Sequence, residues 1–243
     1  MKLDADLFAE GPARDARFDV REQWDELVNL PLEHKDAARE FLHRQMNEEI
    51  NGMEMAARGV ADFPDAPWDL RMEMARQAWD EARHIVAFRR ALESRGGFVG
   101  EFPVMNFQYR IITRIPSLLG RLAVQNRSFE AAGIDAIQQE LEGHGFAKQD
   151  PEMGELFDAQ LADELQHVRF ANEWIEKLRA VTGPSALMEL ARATSAAGRA
   201  MEQVAGGGLL SYPVNDSLRR EAGFNEEEID AARASAARLG SAV

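Results

Sequence analysis

The sequence predicts an all-α chain built round a four-helix bundle. Three observations carry that reading: apolar residues recur at helical spacing over long stretches, clusters of glycine and proline stop each stretch, and one five-residue word, DExxH, occurs twice. With 243 residues, 45% of them hydrophobic, the chain can bury one substantial core and add a small appendage.

Each element follows from its own pattern. From about Leu32 to Asp62 the residues Phe41, Leu42, Met46, Ile50, Met53, Ala57 and Val60 mark the first helix, stopped by Phe63-Pro64-Asp65-Ala66-Pro67. The second opens at Pro67-Trp68-Asp69, where proline suits a first helical turn, and runs to Gly96-Gly97. Residues Gly96 to about Pro116, rich in glycine, proline and aromatics, read as one long crossover. At about 3.3 Å per residue, such a segment can run back along the bundle. A third helix spans about Pro116 to Glu142 and a fourth Pro151 to Val181, each closed by glycine. Two more helical patterns follow, Ser185 to Ala205 and Asn225 to Leu239, separated by Gly206-Gly207-Gly208 and Pro213. The expected organisation is a wrapping segment over 1–31, the bundle over 32–183 and a helical extension over 184–243.

Composition narrows the chemistry. The chain has no cysteine, so thiolate metal sites, iron–sulfur clusters and cysteine nucleophiles are excluded. Any metal must rest on His, Asp and Glu. A formal charge of −14 repels phosphate backbones and anionic lipid, which argues against nucleic-acid and membrane partners. The acidic first residues do not resemble a signal peptide, and no apolar run is long enough to span a bilayer, so the expectation is a cytoplasmic protein.

The repeated word is Asp80-Glu81-Ala82-Arg83-His84 and Asp163-Glu164-Leu165-Gln166-His167. Residues three apart on a helix share a face, so each copy points a carboxylate and an imidazole in one direction. Aligning the copies also aligns the helices before them. There Glu49-Ile-Asn-Gly52-Met-Glu54 matches Glu130-Ala-Ala-Gly133-Ile-Asp135 apart from a small change in loop length. Hairpin geometry supports the same pairs, because residues at one height on antiparallel helices straddle the turn. Glu49 and Glu81 are centred on residue 65, and Glu130 and Glu164 on residue 147, both inside the stop signals.

Six side chains therefore form the candidate site: Glu49, Glu81, His84, Glu130, Glu164 and His167. Two imidazoles among four carboxylates suit two metal ions and favour iron, or a manganese-containing pair, over zinc. Asp80 and Asp163 stand beside the ligand glutamates and are expected to orient a histidine on the opposite DExxH helix. Gly52 and Gly133 each fall three residues after a ligand, where a mid-helix glycine costs about 1 kcal/mol against alanine. Room for dioxygen or a substrate beside the metals is one reason for them, and close helix packing is the alternative.

In its order E, DExxH, E, DExxH, the chain resembles the ferritin-like di-iron superfamily over about residues 36–181. The stretch from Leu42-His43-Arg44 through Glu49 and Glu54 to Phe63-Pro64-Asp65-Ala66-Pro67 is similar to a bacterial ferritin-like family of unknown function. The resemblance implies a bundle of two hairpins joined by one long crossover, two iron ions, and dioxygen as co-substrate. Residues present or missing here weigh against several branches. A rubredoxin centre needs four cysteines, and Phe88 stands where the radical-generating subunit of ribonucleotide reductase carries tyrosine. The segments flanking the bundle are foreign to a bare ferritin cage.

The expected function is oxygen-dependent oxidation of a small molecule, with Glu49 or Glu130 as the carboxylate that shifts binding mode. Electrons come from an external donor or from the substrate, and a homodimer is allowed. The alternative is a non-enzymatic iron-handling or peroxide-detoxifying protein. Other residues receive plainer roles. His34 and His43 are read as surface residues and His144 as part of a loop. Met46, Met53, Met55, Met72 and Met74 are read as core filler, and Trp79 and Trp174 as bundle packing. Arg127 is assigned a salt bridge rather than a substrate contact.

Overall fold

In the computed structural model, residues 16–143, 145–204 and 212–240 are described. The chain is all-α among these residues, apart from two-residue strands. His144 and the Gly206-Gly207-Gly208 break lie outside the described residues, as does the segment before residue 16. Two compact units emerge. One holds residues up to Arg114 together with the helix end that begins at Arg199, and the other holds Ile115–Gly198 and the C-terminal helices.

The first unit is organised by the hairpin of α1 (Ala37–Asp62) and α2 (Trp68–Ser94). Its helices close on Leu42, Met46, Met55, Leu70, Met74, Phe88 and Leu92, all at most 4% exposed. α1 starts five residues later than its periodicity suggests. The carbonyls of Pro31 and His34 are taken by successive turns, from His34 N at 2.8 Å and Ala37 N at 3.0 Å.

The crossover is more structured than expected. Val20–Arg21 (β1) pairs in parallel with Val104–Met105 (β2), Val20 opposite Val104, and α3 (Phe107–Thr113) packs on α1. Buried Asn47 and Asn51 on α1 donate to the Met105 carbonyl, at 2.6 and 3.3 Å. Side chains of α1 thereby do for β2 what a further strand would do. Gly100 has φ of +92°, and a Cβ there would lie 2.2 Å from the Arg17 carbonyl oxygen, so only glycine permits this crossing.

His43 differs from its reading as a surface residue. It is fully buried, accepts the Gly100 N–H at Nε2 (2.8 Å), and lies between the rings of Phe18 and Phe102. Burial pushes its pKa down to about 4. Helical periodicity places His43 on the same side as Met46, but the rings that cover it come from outside the helix. Trp79 also departs from expectation: it is 66% exposed. Met72 is exposed as well, whereas Met46, Met55 and Met74 are core residues.

The second unit has α4 (Leu118–Val124), a π-helical segment (Gln125–Glu130), α5 (Ala131–Glu142), α6 (Phe146–Gln149), α7 (Pro151–Thr182), α8 (Ser185–Val204, through Gly198), α9 (Asp216–Glu221) and α10 (Glu226–Gly240). α7 begins with Pro151 behind an Asp150 cap, whose Oδ1 accepts from Glu152 N at 3.0 Å. The helix expected over Pro116 to Glu142 is interrupted just before Glu130. A π-turn leaves backbone groups out of α register, and the Ser128 hydroxyl takes up the Ala123 carbonyl at 3.1 Å.

The C-terminal helices are fastened to this interruption. Ala222, Phe224 and Ile229 share a buried cluster with Ala131, Ile134, Leu165 and Val168. Buried Arg219 donates to Asp135 at 2.6 Å. Arg127 pairs with Glu228 and lies over the Phe224 ring, which bears out its reading as a salt-bridge residue.

Candidate metal centre

Within the first unit, α1 presents Glu49 and α2 presents Glu81 and His84, all buried. One ligand atom from each lies within 4.8 Å of the others. His84 Nδ1 is 3.0 Å from a Glu49 carboxylate oxygen and 3.1 Å from one of Glu81. Gln77, one turn before Glu81 and 1% exposed, donates to the other Glu81 oxygen at 3.3 Å. A Cβ on Gly52 would come within 3.2 Å of the Glu81 carboxyl carbon. Gly52 thus leaves room for a ligand carboxylate.

The second unit repeats the set. Glu130 ends the π-segment, and Glu164 and His167 come from α7, again with ligand atoms within 4.8 Å of one another. The geometry is looser, with His167 Nδ1 at 3.3 Å from Glu164 and 3.9 Å from Glu130. Asn126, 1% exposed within the π-segment, donates to the His167 carbonyl at 3.2 Å and ties that turn to the ligand helix. Nothing lies within 4 Å of a Cβ built on Gly133, so the two glycines matched in sequence are not equivalent in space.

Asp80 is buried and held by Arg83 at 2.5 Å and Arg76 at 3.4 Å, while Asp163 is half-buried. The sequence reading passed over three side chains. Gln77 and Gln160 are both buried and stand four residues before their glutamates, so the repeated word is the longer QxxDExxH. The legible signal was an uncharged amide on an otherwise ligand-bearing face. Asn126 carried a weaker signal, a polar run Gln125-Asn126-Arg127-Ser128 inside an apolar helix pattern.

Chemically, each triad offers two carboxylates and one imidazole, an oxygen-rich set suited to a divalent transition metal. Such carboxylates are costly to bury as bare anions, and a cation offsets that cost. The class defined here is an all-α protein with buried Glu/His clusters able to hold metal ions. Residues 3–230 match the family described as "Protein of unknown function (DUF455)", and the chain belongs to that family. No curated protein and no solved structure matches it significantly. Among the described residues, no helix is long and apolar enough to cross a membrane.

Proposed function

We propose that the two triads form one dinuclear centre in a ferritin-like bundle, and that this centre uses dioxygen to oxidise a small molecule. The supporting observation is the duplicated buried set, Glu49 with Glu81 and His84, and Glu130 with Glu164 and His167, each with a buried glutamine behind its DExxH glutamate. Each triad would hold one ion through two carboxylates and an imidazole, and three donors would leave that ion able to take further ligands. Iron, or a manganese–iron pair, fits the donors better than zinc.

When bound, such a metal pair supplies the electrons for reducing dioxygen. The chain supplies position. Gln77 fixes one Glu81 oxygen, leaving the other toward His84 Nδ1, and Asn126 holds the backbone of His167. Glu49 or Glu130 would be the carboxylate that changes binding mode. Glu49, Glu81, His84, Glu164 and His167 are buried, which limits the access of water, and Glu130 is partly exposed. In this reading Asp80 and Asp163 steady the imidazoles, and an external donor or the substrate returns the electrons.

Elemental analysis of the full chain, followed by anaerobic Fe(II) loading and exposure to oxygen, tests this directly. Two metals per chain with substrate-dependent oxygen uptake is the expected result, with Glu81→Ala and Glu164→Ala each lowering the metal content. Many iron atoms retained per chain would move the assignment to iron handling. A chain that purifies without metal and takes up none would end it.

A further inference from the structure

The outer face of α2 is apolar where a solvated helix should be polar. Trp68 and Trp79 are each 66% exposed, Met72 43% and Val86 47%. At 100° per residue these four lie within roughly 40° of one another and about half a turn away from Glu81 and His84. With Ala75 and Ala82 between them, the positions 68, 72, 75, 79, 82 and 86 alternate by four and three, which is the seam of a paired helix. The helix thus carries the candidate ligands Glu81 and His84 on one side and, among the described residues, an unpartnered seam on the other.

We propose that this seam pairs with the same seam of a second copy, the two α2 helices running antiparallel. Size and charge both point to a second copy of this chain. In the antiparallel register that superposes all six positions, Trp79 faces Ala75, Met72 faces Ala82 and Trp68 faces Val86, so every bulky side chain meets a smaller one. The same register brings exposed Asp69 toward Arg83 of the other copy at both ends of the pair, opposite charges at positions where paired helices exchange salt bridges. The central Arg76 residues face each other, but each carries its own Asp80 at 3.4 Å.

Four two-thirds-exposed tryptophans contribute about 500 Å² of the roughly 1,200 Å² at which stable interfaces begin. Met72, Val86 and the aliphatic stems of Arg71 and Arg83 add to that area. Isologous pairing through one face is also the commonest closed assembly.

Sedimentation equilibrium of the full chain at about 10 μM should give twice the 27.2 kDa chain mass, and Trp79→Glu should give the single-chain mass with an unchanged far-ultraviolet spectrum. The absence of native cysteine permits a register test. Trp68→Cys mixed with Val86→Cys should form a mixed disulfide under mild oxidation, while neither variant alone should couple to itself. A wild-type chain that remains monomeric overturns the proposal, whether the stripe is bare or serves a different protein. A dimer that survives Trp79→Glu, or self-coupling of either cysteine variant, overturns it as well.

Discussion

Replacing Gly52 and Gly133 by alanine, one at a time, separates fold from site. Each change removes a glycine from a helix interior and should gain up to about 1 kcal/mol in helix propensity. For a chain of this length that amounts to roughly 2–4 °C in melting temperature. At Gly133 nothing stands within 4 Å of the new methyl, so the gain should appear in full and metal affinity should not change. At Gly52 the methyl meets the Glu81 Cδ at 3.2 Å and Oε1 at 3.3 Å, and the carboxylate must yield by a few tenths of an ångström. Holding a side chain off its rotamer costs about 0.5–1.5 kcal/mol, which is roughly a two- to tenfold loss of affinity if charged to metal binding. Anaerobic calorimetric titration with Fe(II), run beside thermal melting of the metal-free protein, reads both quantities. Equal effects of the two substitutions on metal affinity, in either direction, would refute the assignment of Gly52 as space for a ligand.

Two further expectations concern stability. His43 has a folded pKa of about 4, below its ordinary 6.5, because burial disfavours its charged form. Between those values the unfolded chain binds the extra proton, so stability should fall as pH drops from 6.5 toward 4, by on the order of 2 kcal/mol. His43→Gln, which keeps an acceptor for the Gly100 N–H but does not titrate, should flatten that part of the urea-denaturation profile; an unchanged slope would clear His43. Arg219→Met leaves the buried Asp135 carboxylate without its guanidinium and should cost about 3–5 kcal/mol by urea denaturation, with much of the loss recovered by adding Asp135→Leu. A single variant as stable as wild type would show that this pair does not anchor the C-terminal helices.

The long helices and the ligand triads were legible because both are written in periodicity. Glu81 and His84 need only a continuous helix to share a face, and the hairpin midpoints at residues 65 and 147 supply Glu49 and Glu130. What was not legible depends on groups distant in sequence. His43 is buried by Phe18 and Phe102, and β1 meets β2 across more than eighty residues, neither of which leaves a local pattern. Trp79 misled for the opposite reason: a large aromatic in a helical pattern usually packs inward, but its angular position is shared with Trp68, Met72 and Val86 on the outer seam. The π-segment escaped because it falls on the polar run Gln125-Asn126-Arg127-Ser128, which offers no apolar spacing in which a change of register could be seen, although Ser128 and Asn126 are polar side chains that hold it.

That segment makes the two halves unlike in a way their matching letters conceal. Glu49 rises from an uninterrupted rod, whereas Glu130 closes a wide turn that departs from α register, as turns of this kind often do at functional sites. Two sets of matching letters thus rest on unlike supports, one a regular helix and the other a widened turn.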